Sequence, residues 1–214
     1  MKKIMFIAAV FTAQQATGEG IYGCYGGIYY GAGLGLDHSE NSVKYEPSGS
    51  NAAKRACRLG GVMVLGNGKT ADSYPIYYGG EVTVNCARLK HDAVSAETKY
   101  FMLKSNGITP SLAFRAGIIS RNEGTLFFIK FGIGRRKISL KYENDKLATV
   151  QLVPTFGAGM ERIMTGNCTY RIEAEYRVKT DKSGNIGEMP GRHSIENGKC
   201  FGINAMICYH FGRN

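Results

Sequence analysis

The chain has 214 residues, a formal net charge of +10, 29 glycines, 5 prolines and no tryptophan. Many glycines beside few prolines argue for tight turns and close-packed strands over disorder. No apolar run approaches the roughly 20 residues of a membrane helix, which excludes a helical membrane protein.

The first 18 residues, MKKIMFIAAVFTAQQATG, place Lys2 and Lys3 before an apolar run and end in small residues. This is the pattern of a secretory signal peptide, so the expected organisation is a leader over 1–18 and one β domain over 19–214. Beyond the leader the chain reads as strands. In 21–36, Tyr22, Ile28, Tyr30, Ala32, Leu34 and Leu36 share one parity, with Tyr25, Tyr29 and several glycines opposite. The segment 59–66 is short and ambiguous in parity. In 76–86, Ile76, Tyr78, Val82, Val84 and Cys86 oppose Tyr77, Glu81, Thr83 and Asn85, and in 111–119 Leu112, Phe114, Ala116 and Ile118 oppose Arg115.

A turn at 121–124 leads to 126–134, where Phe127, Ile129, Phe131 and Ile133 oppose Phe128, Lys130 and two glycines. In 152–163, Leu152, Phe156, Ala158 and Met160 oppose Thr155 and Glu161; in 170–178, Tyr170, Ile172, Ala174, Tyr176 and Val178 oppose Arg171, Glu173, Glu175 and Arg177. The last segment, 200–211, sets Phe201, Ile203, Ala205, Ile207, Tyr209 and Phe211 against Asn204, Met206 and His210. Side chains of a strand alternate between faces, so each segment predicts one apolar face.

Three connections are short (67–73, 121–124 and 164–167) and four are long (37–58, 88–109, 135–149 and 179–199). An all-β, eight-stranded antiparallel up-and-down transmembrane barrel, with short periplasmic turns and long extracellular loops, explains both the sorting and the two faces. The apolar parity meets lipid. The other parity collects Glu81, Arg115, Lys130, Glu161, Arg171, Glu173, Glu175 and Arg177, an expected interior charge network, because an eight-stranded barrel is just wide enough to be filled by side chains. The spacings of the six cysteines match neither a zinc motif nor a dense disulfide scaffold, so no metal or cofactor is expected. Cys57 and Cys86 are the candidate disulfide, as both are expected near the same end of neighbouring strands.

The stretches IYYGAGLGL, YYGGEVTVN, FIKFGIGRR, PTFGAGMERIMTGNCTYRIEAEYRV and INAMICYHF resemble the eight-stranded outer-membrane barrels of the OmpA-like and opacity-protein type. The resemblance covers nearly the whole chain after the leader. It implies a place in the bacterial outer membrane and contact with its lipid and lipopolysaccharide. It also implies a C-terminal signal, here Tyr209 and Phe211, read by the barrel assembly machinery; the family usually ends on the aromatic residue, whereas Gly212, Arg213 and Asn214 follow here.

Removing Lys2 and Lys3 with the leader leaves 10 − 2 = +8. The named interior charges cancel, so the excess is expected on loops and rims, at residues such as Lys44, Lys54, Arg55, Arg58, Arg135, Arg136, Lys137, Lys141, Lys179, Lys182, Arg192 and Lys199. These basic groups suit lipopolysaccharide phosphates or an anionic host or cell-surface ligand, or simply a solvated rim; export argues against nucleic acid. The leading reading is a structural or surface-interaction, adhesin-like protein that is not an enzyme. The alternatives are a lipid-modifying enzyme drawing on His38, Ser39 and His193, a small ion-conducting porin, and a secreted lipocalin-like carrier with the faces reversed.

Overall fold

The structure, a computed structural model, describes residues 25–46, 51–71, 74–86, 89–96, 99–105, 108–120, 124–142, 145–178, 180–184 and 192–211. The expected leader lies outside them. Its strands are β1 (Gly27–Glu46), β2 (Asn51–Thr70), β3 (Ile76–Cys86), β4 (Leu89–Ala96), β5 (Lys99–Ser105), β6 (Ile108–Ser120), β7 (Thr125–Tyr142), β8 (Asp145–Thr165), β9 (Cys168–Arg177), β10 (Thr180–Gly184) and β11 (Arg192–His210). Eight of them close a ring in the order β1, β2, β3, β6, β7, β8, β9, β11 and back to β1, every pair antiparallel. Closure leaves the wall without an unpaired edge, the condition for a sheet to stand in lipid.

The strands run further than their alternation predicts. The segments expected as long loops are largely extended backbone: β1 and β2 continue as a ladder to the Lys44–Asn51 pair, and β7 and β8 to the Tyr142–Asp145 pair. The segment 88–109 holds the β4–β5 hairpin, which joins the upper part of β7, and 179–199 holds β10, which joins β11. Continuing the ladder pairs backbone amides and carbonyls that a loop would leave to water. Two sheets therefore rise from the loop-side end, β2–β1–β11–β10 and β4–β5–β7–β8.

The wall's outward face is apolar. Leu34, Met63, Leu65, Leu112, Ile118, Phe127, Ile129, Phe131, Phe156 and Ile207 are all exposed. Along β8 the outward positions from Val150 to Met160 carry no charge before Arg162. Ten steps of ~3.3 Å on a strand tilted by ~40° give a belt of about 25 Å, the height of the lipid-facing band of membrane barrels. At the turn-side end Tyr30, Tyr209 and Phe211 pack in tilted and edge-on contacts with centroids 5.2–5.8 Å apart, and Tyr74 and Tyr78 are also exposed. Amphipathic rings at that level suit the headgroup region. No helix among the described residues is long and apolar enough to cross a membrane.

Two glycines make room for the interior. A Cβ on Gly66 would collide with the ring of Tyr29, and one on Gly68 with the ring of Tyr77. Both tyrosines are thereby laid flat against β2 and fully buried.

Candidate functional site

The lumen is filled in layers. Nearest the short turns, Tyr25, Tyr77, Ile119, Leu126 and Phe128 form an apolar plug against Ile163. The Tyr25 hydroxyl lies 2.5 Å from the Gly124 carbonyl oxygen and 2.9 Å from that of Glu161, tying the plug to two turn-side strand ends. A second cluster of Tyr29, Val62, Val64, Met206 and Cys208 lines one side of the wall.

Above the plug the inward parity becomes ionic. Arg171 donates through Nη2 to both oxygens of Glu81 (2.9 and 2.8 Å) and to Glu173 Oε2 (2.6 Å). Lys130 Nζ lies 2.7 Å from Glu173, 3.1 Å from Glu175 and 3.4 Å from Glu81. Arg115 donates to Glu161 Oε2 and to the Tyr29 hydroxyl, each at 2.9 Å, while Tyr29 donates to Glu81 Oε2 at 2.8 Å. Glu161 Oε1 also accepts from Thr169 and contacts His210 Nε2, both at 2.7 Å. The guanidinium carbons of Arg115 and Arg171 lie 4.0 and 4.8 Å from the Phe128 ring centroid, so their flat faces rest on a π surface rather than on bare hydrocarbon.

Toward the loops, Arg177 Nε donates to Glu175 Oε1 at 2.7 Å and Nη1 reaches Asp37 Oδ2 at 3.4 Å. Arg58 donates to Ser39 Oγ at 2.9 Å. Arg58 and Arg136, expected on exposed loops, are instead buried, since both keep the inward parity of strands that continue past the belt. The described interior thus holds five carboxylates (Asp37, Glu81, Glu161, Glu173, Glu175) and six strong bases (Arg58, Arg115, Lys130, Arg136, Arg171, Arg177). Removing one member of such a set strands its partners in a poorly solvated space.

The Cys57–Cys86 link is not formed, and the expectation is corrected by register: Cys86 lies opposite Gly61, four residues along β2 from Cys57. That separation of ~13 Å is twice what a disulfide spans. Both thiols are free and exposed. His38 and Ser39 diverge, His38 outward and exposed and Ser39 inward and fully buried, so they do not act as a nucleophile and base on one substrate. His193 is in register with Tyr45 in the β1–β11 ladder. Tyr209 and Phe211 lie in the turn-side aromatic group. No group of three metal-ligating side chains occurs among the described residues.

Of the expected rim bases, Arg135 is exposed on the outer wall. Lys44, Lys54, Arg55, Lys137, Lys141, Lys182, Arg192 and Lys199 belong to the loop-side parts of β1, β2, β7, β10 and β11. Lys179 lies outside the described residues.

No protein-family model matches the sequence, and no curated protein matches it. Among solved structures the chain is similar to Neisserial surface protein A, at 12% identity and a TM-score of 0.43, over 86% of this chain and 99% of that one. It is similar to Ail, the attachment invasion locus protein of Yersinia pestis, solved with a heparin analogue, at 10% identity and a TM-score of 0.43, over 84% and 99% of the two chains. It is also similar to the outer membrane protease OmpT from Escherichia coli, at 9% identity and a TM-score of 0.36, over 86% and 97%.

Proposed function

We propose that the chain is a bacterial outer-membrane protein whose sealed barrel is an anchor and whose basic loop-side strands engage anionic surfaces, either lipopolysaccharide phosphates or an anionic ligand on a host or neighbouring cell. The observation that carries this reading is the filled lumen: Arg171, Glu81, Glu173, Lys130, Arg115 and Glu161 occupy the cross-section in direct contact, which disfavours a diffusion porin. A lipocalin-like carrier would need the opposite polarity, an apolar cavity inside and polar groups outside. With the lumen closed and His38 and Ser39 on opposite sides of the wall, a non-enzymatic role is favoured. In this reading residues 1–18 are removed on export, Tyr209 and Phe211 serve the barrel assembly machinery, and the two loop-side sheets project outward.

The loop-side segments 37–58, 88–109, 135–149 and 179–199 together carry 17 bases against 10 acids, and an excess of one sign steers an oppositely charged surface. The test is binding of the refolded protein to an immobilised anionic polysaccharide across a salt series, comparing it with the quadruple variant Lys54→Gln, Arg55→Gln, Lys182→Gln, Lys199→Gln. Exposed ionic contacts contribute about 0.2–1 kcal/mol each. The variant is expected to bind roughly tenfold more weakly and with a shallower salt dependence. Equal binding by both proteins, or binding indifferent to salt, would remove the surface-interaction role.

A further inference from the structure

One stretch of the outer wall is left unfilled by its own side chains. Gly80 of β3 lies on the outward parity between Tyr78 and Val82, and a Cβ there would meet nothing within 4 Å. Around this gap stand Leu112 and Phe114 of β6, Phe131 and Ile133 of β7, and Phe156 of β8, forming a groove of about 490 Å³. Phe114 is in register with both Gly80 and Phe131, and Phe131 with Phe156, so the groove floor is one row across four strands. The Phe114 and Phe131 rings pack against each other with centroids 5.3 Å apart, giving the groove an aromatic side.

A charge stands beyond the groove on the loop side. Arg135 is the next outward residue after Ile133 on the loop side, is exposed, and pairs in register with Leu152, itself 69% exposed. Among the described outward side chains of β3, β6, β7 and β8 the only other charge is Arg162, at the opposite, turn-side end. Arg135, opposite Leu152, therefore lies one outward position inside the loop-side end of the belt, from which a long guanidinium side chain reaches up to the headgroups, with the Gly80 row two outward positions, ~13 Å, further in. That is the disposition of a phosphorylated lipid, with its phosphate at the interface and a chain running inward. A guanidinium is suited to the phosphate because it donates two parallel hydrogen bonds.

We propose that Arg135 and the Gly80 groove form a docking site for a phosphorylated glycolipid of the loop-side leaflet, its phosphate on Arg135 and one acyl chain along the groove. This rests on the reading of the chain as an outer-membrane barrel with its loops outward, and it adds a fixed lipid where that reading requires only a fluid annulus. Filling the gap is a direct perturbation: the space in front of Gly80 is open, so Gly80→Phe occupies the groove without disturbing the ladder.

The test is native mass spectrometry of the refolded protein released from micelles doped with lipid A, dephosphorylated lipid A or phosphatidylglycerol, with a boiling-dependent gel shift recorded for each sample. The expected result is one retained lipid A per barrel, with retention falling about tenfold for dephosphorylated lipid A, for Arg135→Gln and for Gly80→Phe. Equal retention of phosphatidylglycerol would overturn the glycolipid assignment, and equal retention by both variants would overturn the site. In either case a preserved gel shift would leave the barrel reading standing. Loss of the shift in the unaltered protein would contradict the barrel itself.

Discussion

The two faces of one wall obey different rules, and β9 shows both at adjacent positions. Arg171 is wholly buried, while its neighbour Ile172 is 46% exposed. Inside, identity is specific: Glu81, Arg115, Glu161, Arg171 and Glu173 have partners at 2.6–3.6 Å, and exchanging one changes several contacts. Outside, stability rests on composition, because lipid accepts any apolar side chain. Stability should therefore respond to shape and pairing on one face and to polarity alone on the other.

The largest break is expected at the centre of the network. Glu81→Leu leaves Arg171, Arg115 and Lys130 facing hydrocarbon where a carboxylate stood, and a loss of about 3–5 kcal/mol is predicted, read from the urea midpoint of the barrel folded in lipid vesicles. A charge placed on the other face comes next: Ile129→Arg, in the middle of the belt, should cost about 2–4 kcal/mol and slow insertion into vesicles. A steric change inside should cost about 1–3 kcal/mol, since Gly66→Val drives a side chain into the Tyr29 ring. The smallest effect sharpens the contrast: Ile129→Leu alters shape without polarity on the lipid side, and the midpoint should move by less than about 0.5 kcal/mol.

The eight wall strands were legible because alternation survives wherever one face is apolar and the other is not. It failed in β2, where Val62 and Val64 point inward and pack with Tyr29 and Met206, so both parities are apolar there. It failed again beyond the belt: 37–58 is largely polar on both parities, a pattern that reads as loop although the ladder continues, whereas in 135–149 Ile138, Leu140 and Tyr142 alternate with Lys137, Ser139 and Lys141, with the apolar residues on the opposite parity to that of the belt. For that reason Arg58 and Arg136 read as rim residues. Extending the inward parity of Lys130 by three more positions on that face reaches Arg136 and would have found it. Partner choice was not legible, because which guanidinium meets Glu81 depends on the stagger between β3 and β9, across the lumen from each other. The Cys57–Cys86 expectation failed on the same missing quantity, the register of β2 against β3.

The central claim is that the wall is polar inside and apolar outside, and the absence of tryptophan from the sequence gives a clean probe of it. Phe131→Trp and Phe128→Trp place single indoles three residues apart on β7, one at an exposed outward position and one buried inside. Reconstituted in bilayers of brominated lipid, the Phe131→Trp protein should lose most of its indole fluorescence and the Phe128→Trp protein should keep most of it. The reverse ranking, or equal protection of both, would contradict the account.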